Sequence, residues 1–532
     1  MLIEHSTDRH IAKDVGPSMV AEGKFAAAGG MLFLLVALFL TCVLMACLRA
    51  AAKNPLWMDE VLAIWAARLP SAVAIRSALE HGSEFSPPTY HLLLHYLARM
   101  AGGSYLVYRL PSVAGHLITG ICVFTLLRRY LDTASAAFGM VFALLGYVSM
   151  YALQARPYGL LVACFAMATL LWNDLDSKDE SAWRIGAVTL LLVLSAALHF
   201  YAALFVCCMG LMELVWSFLH RRFRFGVWIA LLLAGLSALT WLPLLKTMTR
   251  FNAGDTAASG YYAKPTLGKL TSAYVTLFIF DKQHILFLLT AACLCALVYA
   301  FAKNEKFKAL VTGHTRSITD KHPTNLYIIG FCEIAFPVLV FAVALFVTGT
   351  FNVRYCLLAC LGFSVLVGCL ASHFAAFKPV APLVLLASCP LALIAVPEWG
   401  QDAAAFQPLF ARADQPYPIV VGEGLQFFQL EESAPAPTKA RLVYVTAPAG
   451  LTSPDATNEN QVERWGQIRP DLPIVDSASF FARNPRFYVL HTGASTDVLT
   501  DWLLRKGVLK KLIAHSGDVW LFEAGSPLSG SQ

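Results

Sequence analysis

The sequence predicts a polytopic α-helical membrane protein carrying a small C-terminal α/β domain. Three observations carry that reading. Hydrophobic residues make up 58% of the chain and charged ones only 14%, against roughly 25% charged in a soluble protein of this size. Apolar stretches recur between residues 28 and 397, many of them near the bilayer-spanning length of about 18 residues or more. Beyond Pro397 the chain turns Pro-rich and more polar.

Candidate spans lie at 28–48, 110–127, 134–150, 157–172, 185–200, 202–219, 226–245, 283–302, 325–348, 355–371 and 379–397. That makes about eleven spans. The first, from Phe25 to Leu48, is long enough to cross and is followed by no small-residue cleavage site, so it reads as a retained span. Cations fix the orientation. Arg128-Arg129, Lys178, Arg184, Arg221-Arg222, Arg224, Lys303, Lys306, Lys308 and Lys378 all fall on one side. A cytoplasmic N-terminus puts every one of them inside. The outer side then receives residues 49–108, the turns at 151–157 and 199–201, residues 246–282 and 348–354, and everything after 397. The net charge of +6 is spread over these short loops and is no nucleic-acid signature.

Two stretches of the outer segment 49–108 have helical patterning. From Glu60, the residues Val61, Leu62, Trp65 and Leu69 share one face, a pattern suited to lying in the membrane interface. A second helix, Thr89 to Met100, follows the rigid Pro87-Pro88 and places His91, His95 and Arg99 on one stripe. In residues 398–532, strand-like runs (419–422, 441–446, 486–491, 518–523) alternate with helical ones (458–465, 496–505), as an α/β domain requires. All 13 cysteines lie between Cys42 and Cys389, which excludes a disulfide-stapled exported domain. No cysteine spacing of metal-binding type occurs, and no internal repeat is visible.

The residues that carry chemistry collect on the outer face. Asp59 and Glu60 open the first amphipathic helix, where adjacent side chains point about 100° apart and so serve different roles. One is placed to take a proton from an acceptor hydroxyl or amine, the other to orient a partner or hold an ion. The competing reading is a helix cap, since Asp is a favoured N-cap and acids suit a helix start. Arg156 and Arg354 stand at outer span mouths, away from the side where cations are expected, and arginine forms bidentate pairs with phosphate. Their competing reading is snorkelling at head-group level. Arg109 is a third, weaker candidate. His199, in the outer turn His199-Phe200-Tyr201, is placed for a sugar hydroxyl or phosphate, or is an interfacial polar group among aromatic anchors. Glu213, Glu333 and His116 lie within spans and read as helix-pairing groups.

In this order the chain resembles the membrane-bound glycosyltransferases of the GT-C type. It is most similar to bacterial members related to protein O-mannosyltransferases and to the lipid A aminoarabinose and galacturonic-acid transferases. The matching pieces are Trp57-Met58-Asp59-Glu60, Ser86-Pro87-Pro88-Thr89-Tyr90 with its following helix, Arg109-Leu110-Pro111-Ser112, the run from Tyr151 to Tyr158, Leu198-His199-Phe200-Tyr201, and Arg354-Tyr355. The resemblance covers roughly the first 370 residues, and an outer C-terminal domain is typical of the group.

It implies a GT-C-like domain over 1–397, with a catalytic first outer loop at 49–108, and an extracytoplasmic α/β domain over 398–532. It further implies a bacterial cytoplasmic-membrane enzyme using a sugar donor on undecaprenyl or a similar polyprenyl phosphate, with a lipid, glycan or protein acceptor. Asp59 becomes the catalytic base with Glu60 in support, and Arg156, Arg354 and Arg109 the donor-phosphate ligands. Tyr90, His91, Tyr158, His199, Tyr201 and Tyr355 become the substrate-binding set. The chain departs at Gln154, where many relatives carry an acid. No cofactor is required and no metal is assigned; a divalent cation at Asp59 and Glu60 stays open. The rival outside the enzymes is a transporter or flippase, which tends to place ionisable sites at mid-membrane within repeated halves.

Overall fold

The computed structural model describes residues 18–175, 181–257, 261–278, 324–373, 377–394, 403–448, 450–451, 457–493 and 497–527. The helices of the apolar part are α1 (Ser18–Lys53), α2 (Met58–Ala67), α3 (Ala72–Glu80), α4 (Pro88–Ala101), α5 (Tyr105–Arg128) and α6 (Thr133–Leu145). They continue as α7 (Val148–Ala152), α8 (Tyr158–Asn173), α9 (Ala182–Leu198), α10 (Ala203–His220), α11 (Phe225–Leu239), α12 (Leu242–Ala257) and α13 (Leu267–Phe278). From Thr324 the chain continues as α14 (Thr324–Ile334), α15 (Phe336–Val343), α16 (Leu358–Ser372) and α17 (Phe377–Ile394).

Among the described residues, four helical stretches are long and apolar enough to cross a membrane: 30–53, 105–128, 200–220 and 324–348. A fifth is added if α11 and the first part of α12, bent by 41°, form one span. The expected span at 283–302 lies outside the described residues. The stretch expected as one span over 134–150 is instead two helices, α6 and α7, parted where Gly146 takes an extended conformation.

Helix starts follow local chemistry. Ser104 caps α5 by accepting from the Val107 N–H, and Asp132 caps α6 by accepting from Ser135. Helices α5 and α8 cross at Gly115 and Gly159, so closely that a Cβ on Gly115 would stand 2.4 Å from the Gly159 carbonyl oxygen. Small residues at a helix crossing permit this backbone approach. It brings the start of α5, with Arg109 and Ser112, against the segment from Gln154 to Tyr158, and Ser112 Oγ donates to the Arg156 carbonyl at 2.7 Å.

The interfacial placement expected for the helix after Glu60 is corrected by the structure. In α2, Val61, Leu62, Ala63, Ile64, Trp65, Ala66 and Ala67 are all buried. The face expected to meet lipid is covered by α4 and by a helix of the C-terminal region.

That region comprises α18 (Ala403–Phe410), β1 (Ile419–Val421), α19 (Gly424–Ser433), α20 (Ala436–Lys439), β2 (Leu442–Val445), α21 (Thr457–Ile468) and β3 (Ile474–Val475). It ends with α22 (Ser477–Arg483), β4 (Arg486–His491), α23 (Val498–Arg505), β5 (Leu509–Ser516) and β6 (Val519–Gly525). The strands form one sheet in the order β3-β2-β1-β4-β6-β5. The β3–β2, β2–β1 and β1–β4 pairings are parallel, with Val420 opposite both Val443 and Val489. β6 runs antiparallel between β4 and β5. The four expected strands are β1, β2, β4 and β6, and the two expected helices are α21 and α23. Strands β3 and β5 were not expected. β3 has two residues, and β5 is largely exposed, so neither carries the alternation that marks a half-buried strand.

Candidate functional site

The sequence candidates converge where the segment 54–104 meets the ends of α7, α8, α9 and α16. The site has three parts.

The first is a buried clamp. Helix α2 begins at Met58, after Trp57, so Asp59 is not its cap. The N-cap is Trp57, and Glu60, the third residue of the helix, reaches back to it: its Oε2 accepts from the Trp57 N–H at 3.0 Å. Glu60 Oε1 also accepts from the Ala155 N–H at 2.7 Å. Arg109 donates to both carboxylate oxygens, from Nε at 2.7 Å and Nη2 at 2.9 Å. Its remaining donors reach the carbonyls of Ala51, Asn54 and Pro55, each at 2.9 Å. A guanidinium has five N–H groups, and all five of Arg109 are engaged within the chain. Both side chains are fully buried. No N–H of Arg109 is left for a donor phosphate.

The second part is an ion network around Asp59. Asp59 Oδ2 accepts from Arg354 Nη1 at 2.5 Å and lies 3.8 Å from Arg156 Nη2, while Arg156 Nη1 donates to the Asp59 carbonyl at 3.1 Å. Asp59 and Arg354 retain 18% and 20% side-chain exposure, so a substrate can reach them. Arg156 also pairs with Glu84, and the other Glu84 oxygen meets His91 Nε2 at 2.5 Å.

Glu84 had no place among the sequence candidates, yet its carboxylate bridges Arg156 and His91. Its one sequence signal is position, a lone acid just before Pro87-Pro88 at the foot of the helix carrying His91. Burial alone would raise the Glu84 carboxyl, but Arg156 and His91 hold it down at about 2. Folding therefore lowers this pKa. The pair stabilises the protein above the ordinary value of 4.5, and that contribution is lost as the pH falls toward about 2. Unfolding followed between pH 5 and pH 2, roughly the titration window, should show a steep acid loss that Glu84→Gln flattens. An unchanged slope in that variant would remove Glu84 from the network.

The third part is aromatic. The Tyr201 and Tyr355 rings stack at 4.1 Å. His199 packs against Tyr158 at 5.4 Å and Tyr355 at 5.6 Å. Tyr201 is tied down by its hydroxyl, which donates to the Thr350 carbonyl at 2.7 Å. Burial, then the nearby charges of Arg156 and Arg354, keep the His199 imidazole neutral, down at about 3. A narrow cleft runs from Arg354, His199 and Tyr355 to Leu161, Val162 and Phe205. One end is cationic and the other apolar. Tyr90 is fully buried beneath the network.

The two adjacent acids do not share a cation seat, because both Glu60 oxygens are engaged by Arg109 and backbone N–H groups. Among the described residues, no three His, Cys, Asp or Glu side chains group as a metal site. Of the acids within spans, Glu213 accepts from Trp172 Nε1 at 2.8 Å and pairs with Arg224, whose guanidinium lies 3.8 Å from the Trp216 ring centroid. His116 contacts the Leu144 carbonyl at 3.0 Å and ties α5 to α6.

This is the fold of GT-C type membrane glycosyltransferases. Among solved structures, the chain is similar to ArnT from Cupriavidus metallidurans in the apo state. The TM-score is 0.57 at 13% identity, over 95% of this chain and 100% of that one. The same protein bound to undecaprenyl phosphate matches with a TM-score of 0.52 at 12% identity, over 93% and 99% of the two chains. A weaker similarity, TM-score 0.42 at 11% identity, reaches the apo oligosaccharyltransferase of Archaeoglobus fulgidus over 87% and 69%. No family model matches the chain, and no curated protein does.

Proposed function

We propose that this protein transfers a sugar from a polyprenyl-phosphate donor to a lipid, glycan or protein acceptor at the outer face of the bacterial cytoplasmic membrane. One observation carries the reading. A reachable carboxylate, Asp59, stands between Arg354 and Arg156 at the cationic mouth of a cleft whose inner wall is apolar. A phosphate joined to an isoprenoid chain has that same polarity. The chain shares its fold with ArnT, solved with undecaprenyl phosphate, and that supports the donor class.

In the proposed step, Asp59 takes the proton of the acceptor hydroxyl or amine. The acceptor atom forms its bond to the anomeric carbon as the bond from that carbon to the phosphate oxygen breaks. The electron pair leaves with the polyprenyl phosphate, held by Arg354 and Arg156. Donor phosphate arriving on Arg354 competes with Asp59 for the same guanidinium and frees Oδ2 for the acceptor proton. A single base with no second nucleophile beside it favours inversion at the anomeric carbon. Glu60 and Arg109 hold α2 so that Asp59 faces the arginines, and the stacked tyrosines with neutral His199 form the wall against which the sugar lies.

Arg354→Lys keeps the charge and loses the planar fork. It should weaken binding of polyprenyl phosphate by on the order of 10-fold, the loss of one charge-assisted bond. Equal affinity in the variant and the wild type, measured by titration in bilayer discs, would remove Arg354 from the phosphate site.

A further inference from the structure

We propose that helix α19 of the C-terminal region is a positioning element of the reaction centre, acting through Gln429 and Glu432 on α2. This rests on the role assigned to Asp59.

Glu432 is 8% exposed and collects three donors from two other helices. Its Oε2 accepts from Trp65 Nε1 at 2.8 Å. Arg68 Nη1 reaches Oε1 at 2.8 Å and Oε2 at 3.0 Å. The Tyr105 hydroxyl donates to Oε1 at 3.1 Å. Trp65 lies in α2, Arg68 caps the end of that helix, and Tyr105 begins α5. Tyr105 stands one turn before Arg109, so carboxylates fasten α2 to α5 at two places, beside the direct contact of the Arg68 guanidinium with the Tyr108 ring at 5.7 Å. One fastening, Glu60 to Arg109, is internal to the bundle. The other exists only because α19 supplies the carboxylate that bridges Trp65, Arg68 and Tyr105.

The same helix holds the entry to α2. Gln429 Nε2 donates to the Leu56 carbonyl at 3.0 Å, just past the carbonyls that Arg109 secures. Trp65 is closed in by Phe428 at 5.5 Å, by Trp465 at 5.3 Å and by the Arg469 guanidinium at 4.8 Å. Asp59 makes its ion pair from the first turn of this helix. A shift of α2 as a body therefore moves the carboxylate relative to Arg354 and Arg156. Misplacing a reacting group by about 1 Å costs on the order of 100-fold in rate, so a fastening far in sequence from the chemistry acts on turnover.

The test compares full-length Glu432→Gln and Trp65→Phe with wild type in bilayer discs. Glu432→Gln keeps the side-chain volume and removes the carboxylate charge; Trp65→Phe removes the indole N–H together with one ring of the packed side chain. Transfer from a labelled polyprenyl-phosphate sugar gives kcat and donor KM, and hydrogen exchange reports on the α2 amides. The expected result is a fall in kcat on the order of 10-fold or more, with donor KM unchanged and faster exchange confined to α2. Two results overturn the inference: unchanged kcat in both variants, or kcat and KM falling together with a lowered melting temperature, which marks a merely structural contact. If Glu432→Gln fails to fold, Trp65→Phe decides alone. Wild-type protein that transfers no sugar overturns the catalytic reading instead, and faster α2 exchange in the variants still separates the two failures.

Discussion

Asp59→Asn should lower sugar transfer by about 10²–10⁴-fold, the range for loss of a positioned general base, while leaving binding of the polyprenyl phosphate intact. The carboxamide nearly keeps the shape of the carboxylate and still has one oxygen to accept from Arg354. What it loses is the capacity to take the acceptor proton. The donor phosphate meets Arg354 and Arg156, so its affinity should hold or rise slightly once the competing charge of Asp59 is gone. The check is paired: kcat for transfer, and affinity for polyprenyl phosphate by titration. Near-normal turnover in Asp59→Asn would end the assignment of the base. Loss of binding with the same loss of turnover would move Asp59 to a donor-binding role.

The second large effect is on stability. Arg109→Met should destabilise the folded protein by about 3–5 kcal/mol, as expected when one partner of a buried pair is removed. Methionine fills much of the space, yet it leaves the Glu60 carboxylate buried without its cation and the carbonyls of Ala51, Asn54 and Pro55 without donors. Unfolding in bilayer discs measures the change. A variant of wild-type stability that has lost donor affinity would return Arg109 to the phosphate site and contradict the clamp.

Much of this arrangement was legible in the sequence, for definite reasons. Apolar runs mark the helices of the apolar part, because the bilayer leaves little choice of polarity, although four or five of the described helical stretches, not eleven, are long and apolar enough to cross. Arg156 and Arg354 stood out as cations in short loops on the side where cations were not expected, and Asp59 as half of an acidic pair opening a helix. The residues themselves do not say which charges meet each other. Nothing local distinguishes an arginine that grips three backbone carbonyls, as Arg109 does, from one free to hold a phosphate, as proposed for Arg354. Glu84 was missed because one acid in an uncharged run carries no periodic signal; the need of Arg156 and His91 for a counter-charge was the clue available. Glu432 lies 367 residues from the Trp65 it binds, and no spacing rule reaches that far. The face of α2 expected to meet lipid failed for the same reason. Amphipathicity shows that a face needs covering, and the cover here is α19 rather than head groups.

The most direct test of the central claim uses purified protein in lipid with a panel of radiolabelled polyprenyl-phosphate sugars and an envelope extract supplying acceptors. Loss of sugar from the lipid is followed in wild type and in Asp59→Asn. Release of one sugar by wild type, abolished or reduced by about 10²-fold or more in the variant, is the predicted result and names the donor as well. No release of any sugar by folded wild-type protein, or release that does not depend on Asp59, would contradict the account.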